Sequence, residues 1–347
     1  MKIAENYFRL GTENSFIILA KAKKLESEGR EIINLGIGQP DFLTPKHIVE
    51  AAKTALDNGH HGYTPANGTI ELREGVSRHI KKMYGADIES ERVFIAPGGK
   101  PSIFFAIMMF GQPGVEIIYP EPGFPVYESV INYSGATAVP MYLSEKKNFS
   151  FNADEVLNLI NKKTRLLIVN NPQNPTGGLI EKSEIDKLVE GLKKFPDVAV
   201  FSDEIYSRQI YDGKSMPSFF YYPELYNRLI VMDGWSKTYA MTGWRLGWSV
   251  WPKSLIENVT KMAINSYSCV SAANQVAALE ALEGPQEFIN DMMIKFDKRR
   301  NLIVEGLNSL PGIKCNKPGG AFYAFPNISE TGMTGEVFAE KCLLEAG

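Results

Sequence analysis

Lys237 sits in the run Asp233-Gly234-Trp235-Ser236-Lys237-Thr238-Tyr239-Ala240-Met241-Thr242-Gly243-Trp244-Arg245, directly after an apolar stretch. An amine flanked by small and aromatic residues can be desolvated, which lowers its pKa and makes it nucleophilic. Taken alone it would pass for one more surface lysine, since lysines are mostly exposed. Its neighbours change that weighting. Arg245 carries a guanidinium suited to bidentate phosphate binding, or to a structural ion pair. Asp203-Glu204-Ile205-Tyr206 closes another apolar stretch, where a carboxylate is costly to bury without a cation, although Asp also caps helices well. The run from Asn171 to Gly178 holds two Asn-Pro steps, which enforce an irregular turn carrying Asn174. Ala96-Pro97-Gly98-Gly99-Lys100-Pro101 joins a strand to a helix through two glycines. Backbone N–H groups and the helix dipole at such a junction can hold a phosphate.

An amine, an acid, an amide, a guanidinium and a phosphate cradle are the parts needed to hold a phosphorylated pyridine aldehyde as a lysine Schiff base, with the acid opposite the ring nitrogen. The glycines match neither the dinucleotide fingerprint nor the P-loop, so nucleotide readings lose support.

These residues need strand ends to position them. Short β-rich runs are expected at 93–96, 116–119, 138–141, 165–169, 198–202, 229–232 and 246–250, several apolar throughout, as strands covered on both faces are. Helices are expected at 71–83, 101–110 and 182–194 between them. The alternation predicts an α/β fold: a mostly parallel seven-stranded sheet flanked by helices, with ligands outside the carboxyl ends of the strands. The ends of the chain read differently. A helix at 15–28, a Gly/Pro-rich passage around Gly38, a long helix at 286–310, a short strand at 321–325 and a last helix at 335–346 predict a smaller α+β domain. It comprises 1–45 and 286–347, beside a large cofactor-binding domain at 46–285.

The chain has 347 residues, 37 basic and 40 acidic side chains and a net charge of −3, so no basic excess marks nucleic acid or an anionic membrane as the main partner. Three cysteines without CxxC spacing suggest neither a disulfide framework nor a structural metal site. The N-terminus has no apolar signal core, and a cytoplasmic location is expected.

The segments Gly38-Gln39-Pro40-Asp41-Phe42, Tyr63-Thr64-Pro65-Ala66-Asn67-Gly68, Glu121-Pro122-Gly123-Phe124-Pro125-Val126-Tyr127, Asn171 to Gly177, Asp203-Glu204-Ile205-Tyr206 and Ser236-Lys237 to Arg245 occur in this order. Together they resemble the pyridoxal-phosphate-dependent aminotransferases of fold type I, class I/II, the group that includes aspartate aminotransferases. The resemblance implies that Lys237 forms the Schiff base with pyridoxal 5′-phosphate and moves the substrate proton. It implies that Asp203 pairs with the pyridine nitrogen, that Asn174 and Tyr206 hydrogen-bond the ring oxygen, and that Phe124 stacks on the ring. Gly98, Gly99 and Lys100 become backbone donors to the phosphate, and Ser236 and Arg245 further phosphate ligands. Tyr63 would reach the phosphate of a neighbouring subunit, which implies a homodimer with shared sites. Gly38, with Phe124 and Asn174, would lie against the substrate.

Two departures from the family pattern stand out. Gly234 occupies the place where the family often has a phosphate-binding serine. The arginine expected to bind the substrate α-carboxylate belongs to a segment beyond Gly347, so the C-terminal part is expected to be incomplete. The implied function is transfer of an amino group between an L-amino acid and a 2-oxo acid, with an aspartate- or glutamate-type substrate first. Alternatives are an aromatic or hydrophobic substrate and a pyridoxal-phosphate β-lyase, which would share the same cofactor residues. A non-catalytic regulatory module and a nicotinamide dehydrogenase rank lower.

Overall fold

The computed structural model describes residues 1–12 and 14–347. Seven strands form one sheet: β1 (Val93–Ala96), β2 (Glu116–Glu121), β3 (Thr137–Tyr142), β4 (Thr164–Asn170), β5 (Ala199–Asp203), β6 (Leu229–Gly234) and β7 (Gly247–Val250). Each lies within two residues of its expected place. Their order is β1-β7-β6-β5-β4-β2-β3. The pairs β3–β2, β2–β4, β4–β5 and β5–β6 are parallel, while β7 runs antiparallel to both β6 and β1. Two reversals cancel, so β1 points the same way as β6. The carboxyl ends of β1, β2, β4, β5 and β6 and the entry to β7 therefore share one edge of the sheet.

The helices are α1 (Asn14–Ser27), α2 (Lys46–Asp57), α3 (Ile70–Tyr84), α4 (Lys100–Phe110), α5 (Val126–Ser134), α6 (Ala153–Leu159), α7 (Lys182–Leu192), α8 (Trp235–Thr238), α9 (Ile256–Ser266), α10 (Ala272–Glu283), α11 (Glu287–Asn308) and α12 (Gly335–Lys341). Alternation along the strands explains why they cover both faces. In β1, Val93 and Ile95 enter a core with α2, α3, α6, α7 and α10, whereas Phe94 and Ala96 enter a second core with α4, α5 and α9. The central strands β5 and β6 are buried along their whole length, as two-sided cover requires.

Residues from both ends of the chain meet around α11. Phe42 packs edge-on against Phe288 and Phe296, and Phe322 stacks on Phe296 at 5.3 Å. Buried Arg300 of α11 binds Asp212 with two nitrogens (2.6 and 2.9 Å) and donates to the Pro318 carbonyl (2.8 Å).

One expected element does not form. Residues 321–325 are not a strand: Ala321 has φ +55°, and the segment has only an isolated bridge on either side, Ile210 with Gly320 and Lys314 with Asn327. An apolar run makes a strand only where another edge stands beside it, and here the chain instead turns inward at Pro318-Gly319-Gly320. The last helix is also shorter than expected, ending at Lys341 and continuing as a π-turn over Cys342–Ala346. No helix among the described residues is long and apolar enough to cross a membrane.

Candidate functional site

Lys237 lies on α8, the single turn that follows β6. Its Nζ donates to the carbonyl oxygen of Gly38 at 2.5 Å and stands 5.6 Å from the ring centroid of Phe322 and 5.9 Å from that of Tyr206. The half-buried ammonium thus faces aromatic surfaces and a carbonyl dipole.

Asp203, the last residue of β5, is 3% exposed. Tyr127 Oη donates to its Oδ2 at 2.6 Å, and the Ile205 N–H donates to its Oδ1 at 3.2 Å. Burial pushes the Asp203 carboxyl up to about 6, against the lowering effect of these donors and of the Lys237 charge. Tyr206, fully buried, shares a 2.5 Å hydrogen bond between its hydroxyl and that of Tyr323.

Side chains stitch the neighbouring strand ends together. Asn170 closes β4 opposite Asp203, and its Nδ2 donates to the Asp203 carbonyl at 3.1 Å. Its Oδ1 accepts the N–H of Asn174 at 2.7 Å, which fixes the loop after β4. Gln173 Nε2 donates to the Pro122 carbonyl at 2.6 Å, tying that loop to the one after β2. The peptide bonds before Pro122, Pro172 and Pro175 are cis. Phe124 is half-buried, edge-on to Tyr127 at 5.8 Å, with Lys100 Nζ 5.5 Å from its ring centroid.

At the start of α4, Gly98 has φ +89°, and a Cβ there would overlap the Arg245 guanidinium. Arg245 Nη1 is held by the Thr242 carbonyl at 2.7 Å. The expected donor role of Gly98 needs correction. Its N–H already bonds the Ala96 carbonyl at 2.8 Å in the tight turn, so its part is to admit Arg245. Gly99 at the N-cap and Lys100 in the first turn open α4 beside it. Ser236 is buried on α8. Gly234 has a local reason to lack a side chain. A Cβ there would stand 2.9 Å from Gly247 Cα and 3.0 Å from the Leu246 carbonyl oxygen, where β6 and β7 converge.

The fold therefore gathers Gly38, Gly98, Gly99, Lys100, Phe124, Asn174, Asp203, Tyr206, Ser236, Lys237 and Arg245 at one sheet edge. Tyr63 stands apart, 93% exposed. Sequence reasoning gave no role to Tyr127, although it ends a segment already singled out. It missed Tyr323, Asn170 and the buried carboxyls Glu204 and Asp233. Burial pushes Glu204 up to about 7 and Asp233 up to about 8. Serine at 202 and 207 was the available signal for the last two, because their hydroxyls bond these carboxyls.

The chain matches the family model described as aminotransferase class I and II over residues 30–347. It is 39% identical to an aspartate aminotransferase of Pyrococcus horikoshii over 347 aligned residues, 99% of this chain and 87% of that one. The structure resembles the aspartate aminotransferase from Thermus thermophilus with maleate, at a TM-score of 0.93 and 31% identity, covering all of this chain and 90% of that one. It also resembles an aromatic aminotransferase from Pyrococcus horikoshii, at a TM-score of 0.87 and 36% identity, covering 94% of this chain and 87% of that one.

Proposed function

The chain belongs to the family of class I and II aminotransferases, and on that premise we propose that it moves an amino group between an aspartate- or glutamate-type L-amino acid and a 2-oxo acid, with pyridoxal 5′-phosphate held on Lys237. The observation that carries this reading is the environment of Asp203. A buried carboxyl is unfavourable in its charged form unless a cation meets it. Here Tyr127 and the Ile205 amide hold one carboxyl in place, on the sheet edge that also carries Lys237. A protonated pyridine nitrogen is a cation of the right kind to complete that pair.

The other residues fit the same group. Gly99 and Lys100 offer backbone N–H groups, and Arg245 a guanidinium, to a phosphate at the start of α4. Phe124 offers an aromatic face to one side of a ring, and Asn174 and Tyr206 offer hydrogen bonds to its oxygen. Ser236 adds a hydroxyl to the phosphate end. Bound there, pyridoxal phosphate supplies an electron-withdrawing ring that takes up the electron pair left when the substrate Cα loses its proton.

The protein's own work is to place and move that proton. Lys237 Nζ would accept it from Cα and return it to the cofactor carbon on the far side of the substrate nitrogen, as an amine acting in turn as general base and general acid. Asp203 holds the ring nitrogen protonated, and Tyr127 keeps the Asp203 carboxylate oriented. Gly38 lies beside the substrate carboxylate, on a segment that must release Lys237 before the amine can act. Lys100 supports an acidic substrate, since its ammonium stands over Phe124, where a second carboxylate would need a cation. Residues 1–45 and 286–347 form the smaller domain that closes on the rest. Tyr63 reaches the phosphate of a second copy, so the enzyme works as a homodimer, in the cytoplasm.

Two measurements test this. Borohydride reduction of the cofactor-loaded protein followed by peptide mapping is expected to label Lys237. A panel of amino acids, each mixed with the loaded enzyme in a single half-reaction, is expected to give the fastest spectral change with aspartate or glutamate. Labelling at another side chain overturns the assignment of Lys237. A fastest reaction with phenylalanine or tyrosine selects the aromatic reading, and release of ammonia and pyruvate from a cysteine conjugate selects the lyase.

A further inference from the structure

Behind Tyr206 the chain makes a compact turn, closed by the Ser207 N–H on the Glu204 carbonyl (2.8 Å) and the Gln209 N–H on the Tyr206 carbonyl (2.8 Å). Two side chains of this turn reach the segment that carries Lys237. Ser207 Oγ donates to Asp233 Oδ2 at 2.6 Å, and Asp233 Oδ1 accepts the Gly234 N–H at 2.6 Å. The Asp233 carboxyl therefore clamps the turn after Tyr206 to the last residue before α8. Farther along, Gln209 Nε2 donates to the carbonyl oxygen of Lys237 itself, at 3.3 Å. The Gln209 carbonyl also accepts the N–H of Ala321 at 2.8 Å, close in sequence to Tyr323, whose hydroxyl meets that of Tyr206.

We infer that Ser207, Asp233 and Gln209 are positioning residues that fix the backbone of Lys237 relative to the Tyr206 ring and hydroxyl. All three are buried, so each polar group carries a desolvation cost that an apolar residue would avoid. Their bonds run between the two strand-end turns whose side chains must meet the same reacting group. A site held within about half an ångström requires this kind of support from residues that touch no substrate. The groups facing the clamp are the Glu204 and Asp203 carboxyls, the Tyr84 hydroxyl, which bonds Ser207, the Tyr239 hydroxyl and the Arg208 guanidinium. The inference rests on the roles of Lys237 and Tyr206 proposed above.

The test compares Ser207→Ala, Gln209→Met and Asp233→Asn with the unaltered enzyme. In the asparagine variant the amide oxygen still accepts the Gly234 N–H and the amide nitrogen donates to Ser207. Three readouts are taken: kcat and KM, the pH midpoint of the absorbance of the cofactor-loaded protein, and hydrogen exchange of the peptide spanning 234–238 in the cofactor-free protein. Ser207→Ala and Gln209→Met are each expected to lower kcat about tenfold with KM little changed, because a small misplacement of the reacting group is enough. They are also expected to shift the absorbance midpoint and to speed exchange at 234–238. Asp233→Asn is expected to stay near the unaltered enzyme in all three. Unchanged kcat, midpoint and exchange in both disrupting variants would overturn the inference. Should borohydride fail to label Lys237 in the unaltered enzyme, the functional reading fails, while hydrogen exchange still decides whether the clamp holds the segment.

Discussion

Tyr127 Oη donates a 2.6 Å hydrogen bond to Asp203 Oδ2 across two buried side chains that lie 76 positions apart in sequence. Burial and the neighbouring carboxyl push the Tyr127 hydroxyl well above the ordinary tyrosine range, so it stays a donor at any working pH. Tyr127→Phe removes one donor to a charged group, a loss of about 1.5–3 kcal/mol. Cofactor affinity is expected to fall by roughly ten- to a hundredfold, read from the cofactor concentration that restores absorbance to the stripped enzyme. An unchanged affinity would show that Asp203 does not depend on this bond.

Lys237→Ala removes the amine that donates to the Gly38 carbonyl at 2.5 Å. Turnover is expected to drop by at least about a hundredfold, the lower end of what a positioned acid–base group contributes. Borohydride is expected to leave no stable label on the variant. Retained turnover would remove Lys237 from the chemistry.

The buried carboxyls make stability depend on pH. A free Asp or Glu titrates near pH ~4, whereas in the fold Asp203 is raised to about 6, Glu204 to about 7 and Asp233 to about 8, each mainly by burial. The folded state therefore keeps protons that the unfolded chain has already released. The stability these groups contribute is full below pH ~4 and is lost as pH rises through their folded values. Carboxyls held down by ion pairs, such as Asp212 beside Arg300, act below that window. The melting temperature of the cofactor-free protein is expected to fall from about pH 5.5 to about pH 9, and Glu204→Gln to flatten the fall. A curve flat over this range in the unaltered protein would contradict the burial argument.

Gly234→Ser restores the residue that the family often carries. The new side chain would press on Gly247 and Leu246 where the two strands converge. Overpacking of this kind costs about 1–3 kcal/mol, expected as a lower urea midpoint with an unchanged slope. A variant as stable as the parent would show that β7 can yield there.

Much of this architecture is legible in the residue pattern, for a physical reason. Doubly covered strands must be apolar almost throughout, and that signature marks β4, β5 and β6 and so places Asn174, Asp203 and Lys237 at or just beyond their carboxyl ends. Partners brought together from distant parts of the chain leave no local trace. Tyr323 looked like part of a strand, but that segment meets no strand beside it, and its ring turns to Tyr206. Glu204 and Asp233 look like surface charges until the fold buries them beneath serine hydroxyls. The Gly98-Gly99 pair announces an anion cradle, yet only backbone geometry reveals that the first N–H is already used.

The segment holding Gly38 is strapped down farther on. Asp41 forms a two-pronged ion pair with Arg299 of α11 (2.7 and 3.0 Å), and Thr44 Oγ1 accepts the indole N–H of Trp244 at 3.1 Å while donating to the Ala240 carbonyl at 2.8 Å. Nature has thereby wired a fluorophore to the strap. A shift of the strap as the amine at 237 leaves Gly38 is expected to strain that indole's acceptor and change its emission. Stopped-flow excitation of tryptophan could then time the departure of the lysine in unlabelled protein, with Trp244→Phe as the control that removes this indole's share from the signal of the four tryptophans.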